Sequence, residues 1–177
     1  MSLAAKSLLL IAVLGLAACN NPDRYGSGAG GAGGAGGAGG AGGIDTTGLG
    51  DPNNPTSIAY FNQTVGDRIL FAVDQSTLSP EARTILAAQA QWLNQNTGYA
   101  AIIEGHADEQ GTREYNLALG ARRAAAVQNF LISQGVAANR LRTISYGKER
   151  PLEVCSEEAC YAKNRRAVTV LSAGAGA

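Results

Sequence analysis

AAIIEGHADEQGTREYNLALGARRAAAV, residues 100–127, contains a strand, a loop and a helix in one run. AAIIEG (100–105) is a short apolar segment that reads as a strand. Thr112 can cap a helix, with Glu114 in its first turn where a negative charge suits the dipole. Leu119, Val127, Phe130 and Leu131 recur at helical spacing, alanines fill the gaps, and Gly135 is a good C-terminal stop. Glycines 105 and 111 let the intervening loop turn sharply.

The same alternation continues on both sides. RILFAV (68–73) reads as a strand. Ser79-Pro80 starts a helix, serine as cap and proline at the first helical position. Ile85, Leu86, Trp92 and Leu93 follow at helical spacing until Thr97-Gly98. LRTISY (141–146) and RAVTVL (166–171) are further strands, separated by a loop. The order β-α-β-α-β-β argues for an α+β fold, a four-stranded sheet covered by two main helices.

One residue breaks the apolar pattern of the second helix. Arg123 lies four positions after Leu119 and four before Val127, so it points along the apolar side, with Arg122 rotated about 100° away. Asn116 sits on nearly the same line, two turns nearer the helix start. An inward guanidinium needs an anion, because an unpaired buried charge is costly. The local candidates are Asp108 and Glu109. Two readings follow: an internal Asp108–Arg123 salt bridge, or an acid and an arginine facing a shared pocket. Arginine's planar fork suits a carboxylate and an aspartate suits an ammonium, so the second reading asks for a zwitterion.

His106 is the only histidine of the chain. A zinc site would need more ligands, and no serine or cysteine nucleophile stands in a suitable context nearby. With Glu104 and Asp108 at strand spacing it reads as a structural, hydrogen-bonded histidine. No catalytic residue, metal site or cofactor is expected.

The 177 residues carry 14 basic and 14 acidic side chains, so net charge does not point to nucleic acid. Many of the 24 glycines fall in a GGA repeat over 26–43 that lacks the proline of collagen and has little apolar area to bury. It reads as a flexible tether; the segment from Cys19 to Ser57, about 38 residues, has an average reach of ~35 Å. Ahead of it, Lys6 and LLLIAVLGLAA (8–18) form a basic and then an apolar region too short to span a bilayer. The run ends in LAAC (16–19), which resembles a bacterial lipobox and implies cleavage before Cys19 and lipidation of that cysteine. Asn20, where an aspartate would signal inner-membrane retention, favours the outer membrane. Cys155 and Cys160 read as a disulfide clip in an oxidising compartment, in preference to two free thiols or a metal site. The expected organisation is a signal peptide (1–18), a lipidated N-terminus and tether (19–57), a folded domain (58–172) and a disordered tail (173–177).

EGHADEQGTREYNLALGARRAAAV (104–127), with ILFAVDQSTLSPEA (69–82), ISYGKERP (144–151) and NRRAV (164–168), closely resembles the OmpA-like peptidoglycan-binding domain family, and its free-standing lipoprotein members most of all. The resemblance covers essentially the whole folded region. It implies a two-layer α/β sandwich with a mixed sheet. It also implies noncovalent, non-enzymatic binding of the peptidoglycan stem peptide, chiefly the meso-diaminopimelate end, which carries an ammonium and a carboxylate on one carbon. Asp108 then matches the acid for the ammonium and Arg123 the arginine for the carboxylate. Asn116 and Leu117 match positions that shape or support the pocket, and Phe71 and Asp74 border it. Asn164 and Arg165 match an element that supports structure. The resemblance further implies a periplasmic-facing domain anchored in the outer membrane, within the Tol–Pal envelope system of cell division. TolB would be a partner competing for the 106–116 segment. Neither the cysteine pair nor the GGA tether is a family requirement.

Overall fold

Ser79 and Thr112 do what their positions predict. Ser79 Oγ accepts from the Ala82 amide at 3.1 Å and starts α2 (Pro80–Gln95). Thr112 Oγ1 accepts from the Tyr115 amide at 3.2 Å and starts α3 (Arg113–Ser133). Each side chain satisfies an amide that the first helical turn leaves without a partner. α3 ends before Gly135, whose φ of +92° is a conformation that suits glycine at a helix terminus.

The structure, a computed structural model, describes residues 50–154 and 156–173. The signal peptide, Cys19, the GGA repeat, Cys155 and residues 174–177 lie outside the described residues. Besides α2 and α3 there are a short helix α1 (Ile58–Tyr60), continued by a π turn (Phe61–Gly66), and α4 (Glu158–Asn164). The strands are β1 (Arg68–Leu70), β2 (Tyr99–His106), β3 (Leu141–Gly147) and β4 (Arg166–Ala173).

The four strands form one mixed sheet in the order β1-β4-β2-β3. β4 is antiparallel to both its neighbours, and β2 and β3 are parallel. A parallel pair needs a long crossover, and α3 supplies it. This is the α+β fold expected from the alternation of elements.

β2 alternates faces with period two. Tyr99, Ala101 and Ile103 are buried in the core with Leu86, Leu93, Val127 and Leu131. Gly105 continues this face and meets Gly120 of α3. A Cβ on Gly105 would lie 1.9 Å from the Gly120 carbonyl oxygen, so only two glycines allow the backbones so close. That contact sets the start of α3 over the end of β2, where the loop 107–112 emerges.

Three segments differ from the sequence reading. β1 stops at Leu70 instead of running to residue 73. Phe71 still donates its amide to Arg165 O at 2.9 Å, and the chain then turns, with Gln75 N bonded to Ala72 O at 3.2 Å. Helix α4 occupies a stretch read as loop. Residues 51–57, read as tether, pack on the core: Trp92 Nε1 donates to Pro55 O at 2.7 Å and Tyr99 Oη to Thr56 O at 2.8 Å. Trp92 in turn stacks between Phe61 and Tyr99, with ring centroids 5.0 and 5.1 Å away.

Candidate functional site

Loop 107–112, the turn after β1 and the junction of α4 with β4 converge beside the first turns of α3. Asn116, almost fully buried, donates to Gln110 O at 2.6 Å, and Lys148 Nζ donates to Gly111 O at 2.7 Å. These bonds give the loop backbone the partners that regular structure would otherwise provide.

Arg123 is fully buried, as its spacing predicts. Its partners are not carboxylates. Nε donates to Gln75 O at 2.8 Å, Nη1 to His106 O at 2.7 Å and Nη2 to Ala72 O at 3.1 Å. The guanidinium also lies 5.1 Å from the centroid of the Phe71 ring. Burial pushes its pKa down to about 10, partly offset by Asp108, so it stays charged at neutral pH. It therefore ties the turn after β1 to the end of β2.

The internal Asp108–Arg123 salt bridge is not formed. Asp108 Oδ2 instead pairs with Arg165 Nη1 at 3.2 Å, and its Oδ1 accepts from the Gln110 amide at 3.3 Å. Arg165 also binds Glu158 of α4 through Nη2 and Phe71 O through Nε. Burial disfavours the Arg165 charge, but Glu158 and Asp108 outweigh it and raise its pKa. Arg165, read from sequence as a support, is the ion-pair partner of the loop acid.

A cleft of about 270 Å³ opens here. Asp74 and Asp108 supply carboxylates to its wall, Gln110, Tyr115 and Asn116 other polar groups, and Val73 and Leu119 apolar surface. Tyr115 donates its hydroxyl to Asp74 Oδ1 across the mouth. Of the six residues expected in the site, Asp74, Asp108 and Asn116 line this cleft. Phe71 and Arg123 are buried behind it. Leu117 does not line it: the residue is 46% exposed, and its carbonyl accepts from Ser145 Oγ at 2.6 Å, joining α3 to β3. Tyr115 and Gln110 were not singled out from sequence. Tyr115 lies in the quoted stretch, but its spacing does not reveal that its hydroxyl reaches a residue 41 positions earlier.

A larger groove of about 600 Å³ lies between β1 and α2, over Ile69, Leu70, Ala82, Ile85 and Leu152. It is mainly apolar, and the charged residues that line it, Arg68, Glu81 and Lys163, are exposed to solvent, whereas the smaller cleft gathers the buried polar side chains of Asp108 and Asn116 and is therefore the candidate site.

His106 is 1% exposed and neither ring nitrogen has a hydrogen-bond partner among the described residues. Nε2 lies 3.5 Å from Glu104 Oε2, and the ring packs on Tyr146 with centroids 5.5 Å apart. Burial, followed by the charges of Arg166, Arg150 and Arg68, pushes its pKa down to about 4. At neutral pH it is thus an uncharged ring, and the Glu104 contact is not an ion pair. Its hydrogen-bonding role is played by the backbone carbonyl that holds Arg123.

Among the described residues no group of three or more His, Cys, Asp and Glu is placed to hold a metal ion, and no helix is long and apolar enough to cross a membrane. Cys160 is disulfide-bonded.

Residues 70–165 match the OmpA family. The chain is 62% identical over 122 residues to the peptidoglycan-associated lipoprotein of Mesorhizobium japonicum, covering 69% of this chain and 72% of that one. It is 56% identical over 131 residues to the protein of the same name from Agrobacterium fabrum, covering 73% of each. Among solved structures it resembles the peptidoglycan-associated lipoprotein from Burkholderia pseudomallei, with a TM-score of 0.61 and 36% identity, covering 69% of this chain and all of that one. The C-terminal domain of Helicobacter pylori MotB, at 22% identity and a TM-score of 0.57, shares the fold.

Proposed function

The chain belongs to the OmpA family, and from that premise we propose that it is a lipoprotein that binds peptidoglycan noncovalently through the cleft at Asp74 and Asp108. The ligand is the diaminopimelate end of the stem peptide. The observation that carries the reading is the charge arrangement: two carboxylates on the wall and the Arg123 guanidinium directly behind. An ammonium is taken by the acids. The carboxylate on the same carbon is drawn toward Arg123 and takes over one of its bonds to the carbonyls of Ala72 and Gln75. The name of the relatives, peptidoglycan-associated lipoprotein, supports association with peptidoglycan.

The rest of the proposal concerns residues outside the described part of the chain. Lipidated Cys19 anchors the protein in the outer membrane, and the glycine-rich segment lets the domain reach the wall through the periplasm. In this setting the domain is a binding module of the Tol–Pal system, not an enzyme. TolB is a second partner that competes through the 106–116 segment, whose continuation carries the exposed Leu117.

The test is a pull-down on purified sacculi with free meso-diaminopimelate as competitor. Retention that the competitor abolishes supports the reading; retention that it leaves untouched, or none at all, overturns it. Added TolB should release the protein. Peptide release from the sacculi that His106→Ala removes would make the protein a hydrolase instead.

A further inference from the structure

The face of the sheet turned away from α2 and α3 has its own pattern. Along β2, Ala101 and Ile103 enter the core, so Ile102 and Glu104 point to the outer face. Register carries that face across the other strands. Ile102 is paired with Val170 of β4 and Arg142 of β3, and Glu104 with Val168 and Ile144. Val168 is paired in turn with Arg68 of β1, and Arg166 with Leu70. The aliphatic side chains form a stripe open to solvent: Ile102, Ile144 and Val170 are 38–40% exposed and Leu70 is 52% exposed.

Arginines rim the stripe. Arg142 and Arg150 are exposed, and among the described residues neither forms an ion pair. Arg150 lies 3.7 Å from the centroid of Tyr146, which continues the outer face of β3. Arg68 stands 3.7 Å from Asp67. Arg166 is buried, and its Nη atoms donate to the carbonyls of Asn164 and Arg150. Four arginines thus meet two acids, Glu104 and Asp67, in a chain whose charges balance overall. The excess is felt at His106, next along β2 on this face, where Arg166, Arg150 and Arg68 add to burial in keeping the ring uncharged.

An aliphatic stripe rimmed by arginines suits a surface that is apolar within and anionic at its boundary. Two copies packed face to face would bring arginine toward arginine, which like charges oppose. Neither cleft described above includes Ile102, Ile144 or Val170, so the stripe has no socket for a partner's anchoring side chain. We propose that the outer face of the sheet is a docking surface for a bilayer leaflet rich in anionic glycerophospholipids. Lipid phosphates take the exposed guanidiniums, and Leu70, Ile102, Ile144 and Val170 rest on the acyl boundary. The cleft at Asp74 and Asp108 is built on α3, in the other layer, so this contact does not consume it. The inference is independent of the wall-binding reading.

The experiment is flotation of the full chain with vesicles of phosphatidylcholine, alone or mixed with an equal part of phosphatidylglycerol, at low salt. Every chain carries Cys19→Ser, which removes the expected lipidation site, and any contribution of residues 1–18 is common to all. The parent chain is expected to bind the mixed vesicles about tenfold or more better than phosphatidylcholine, and to lose most of that difference in high salt. Arg142→Gln is expected to weaken binding to the mixed vesicles about fivefold, the effect of one charge at an anionic surface. Arg83→Gln makes the same change on the exposed side of α2 and should stay within about twofold. Ile102→Thr combined with Ile144→Thr, which keeps β-branched residues in both strands, should weaken binding about threefold or more. Equal binding to the two kinds of vesicle overturns the proposal and leaves the face to an acidic protein. Arg83→Gln as damaging as Arg142→Gln overturns it too, since net charge alone would then be responsible. So does a threonine pair that binds like the parent, because the stripe would then make no contact.

Discussion

Arg165 pairs with Asp108 across 57 residues of chain, at 3.2 Å and with both side chains nearly out of water. The ion pair ties the loop between β2 and α3 to the start of β4. Through Glu158 it also ties both to α4. Arg165→Ala leaves Asp108 buried without its cation. Removing one partner of a buried pair costs about 3–5 kcal/mol, so urea unfolding should show a loss of that order, with Arg165→Lys recovering only part of it. A loss under about 1 kcal/mol would mean that the pair is effectively solvated.

Arg123 is a structural residue as well as a candidate ligand contact. Arg123→Ala removes three charged hydrogen bonds to carbonyls and leaves a void beside Phe71. The expected destabilisation is on the order of 4 kcal/mol. Limited proteolysis should show early cleavage in 72–76, the turn that the guanidinium holds. Weakened wall binding by this variant is interpretable only beside that measurement.

The Gly105–Gly120 contact leaves no room for a methyl group. In Gly105→Ala the new atom meets backbone, which cannot swing aside, so the cost should reach about 3 kcal/mol or more. Gly50→Ala, where nothing lies within 4 Å, serves as the control and should stay within about 0.5 kcal/mol. Thermal unfolding of the two variants makes the comparison.

His106 gives stability a pH dependence. An ordinary histidine takes up its proton near pH 6.5, and this one near pH 4 in the fold. Between those values the unfolded chain binds the proton and the folded chain does not, so acid favours unfolding. The stability present above pH 6.5 should fall by about 3 kcal/mol on the way down to pH 4 and lose nothing more from this group below that. His106→Gln should flatten the profile over that window, as read from urea midpoints at a series of pH values. An unchanged slope would show that the histidine is not the group responsible.

What was legible in the sequence is the local part. Strand period, helix caps and terminal glycines state the elements of residues 99–135 because each depends on neighbours a few positions away. The inward turn of Arg123 was legible for the same reason. Its partners were not, since backbone carbonyls carry no residue signature and any segment can offer them. The Arg165–Asp108 pair was equally hidden, because Arg165 read only as a support and its partner lies 57 residues away in the chain. β1 is shorter than its apolar run because Arg165 and Arg123 draw residues 71–75 out of line, a tertiary effect. α4 was missed because it is only seven residues long and has no side-chain cap.

The strand order has a consequence for the making of the protein. β4, the last of the described strands in chain order, sits between β1 and β2 and is hydrogen-bonded to both. Until residue 173 is available, β1 has no strand partner and β2 lacks one of its two neighbours. A chain emerging from a ribosome, or threading a narrow pore with its N-terminus first, can assemble β2, α3 and β3 but cannot close the sheet. The keystone arrives last, so in a chain still being delivered from its N-terminus the sheet stays open and closes only once residue 173 is free.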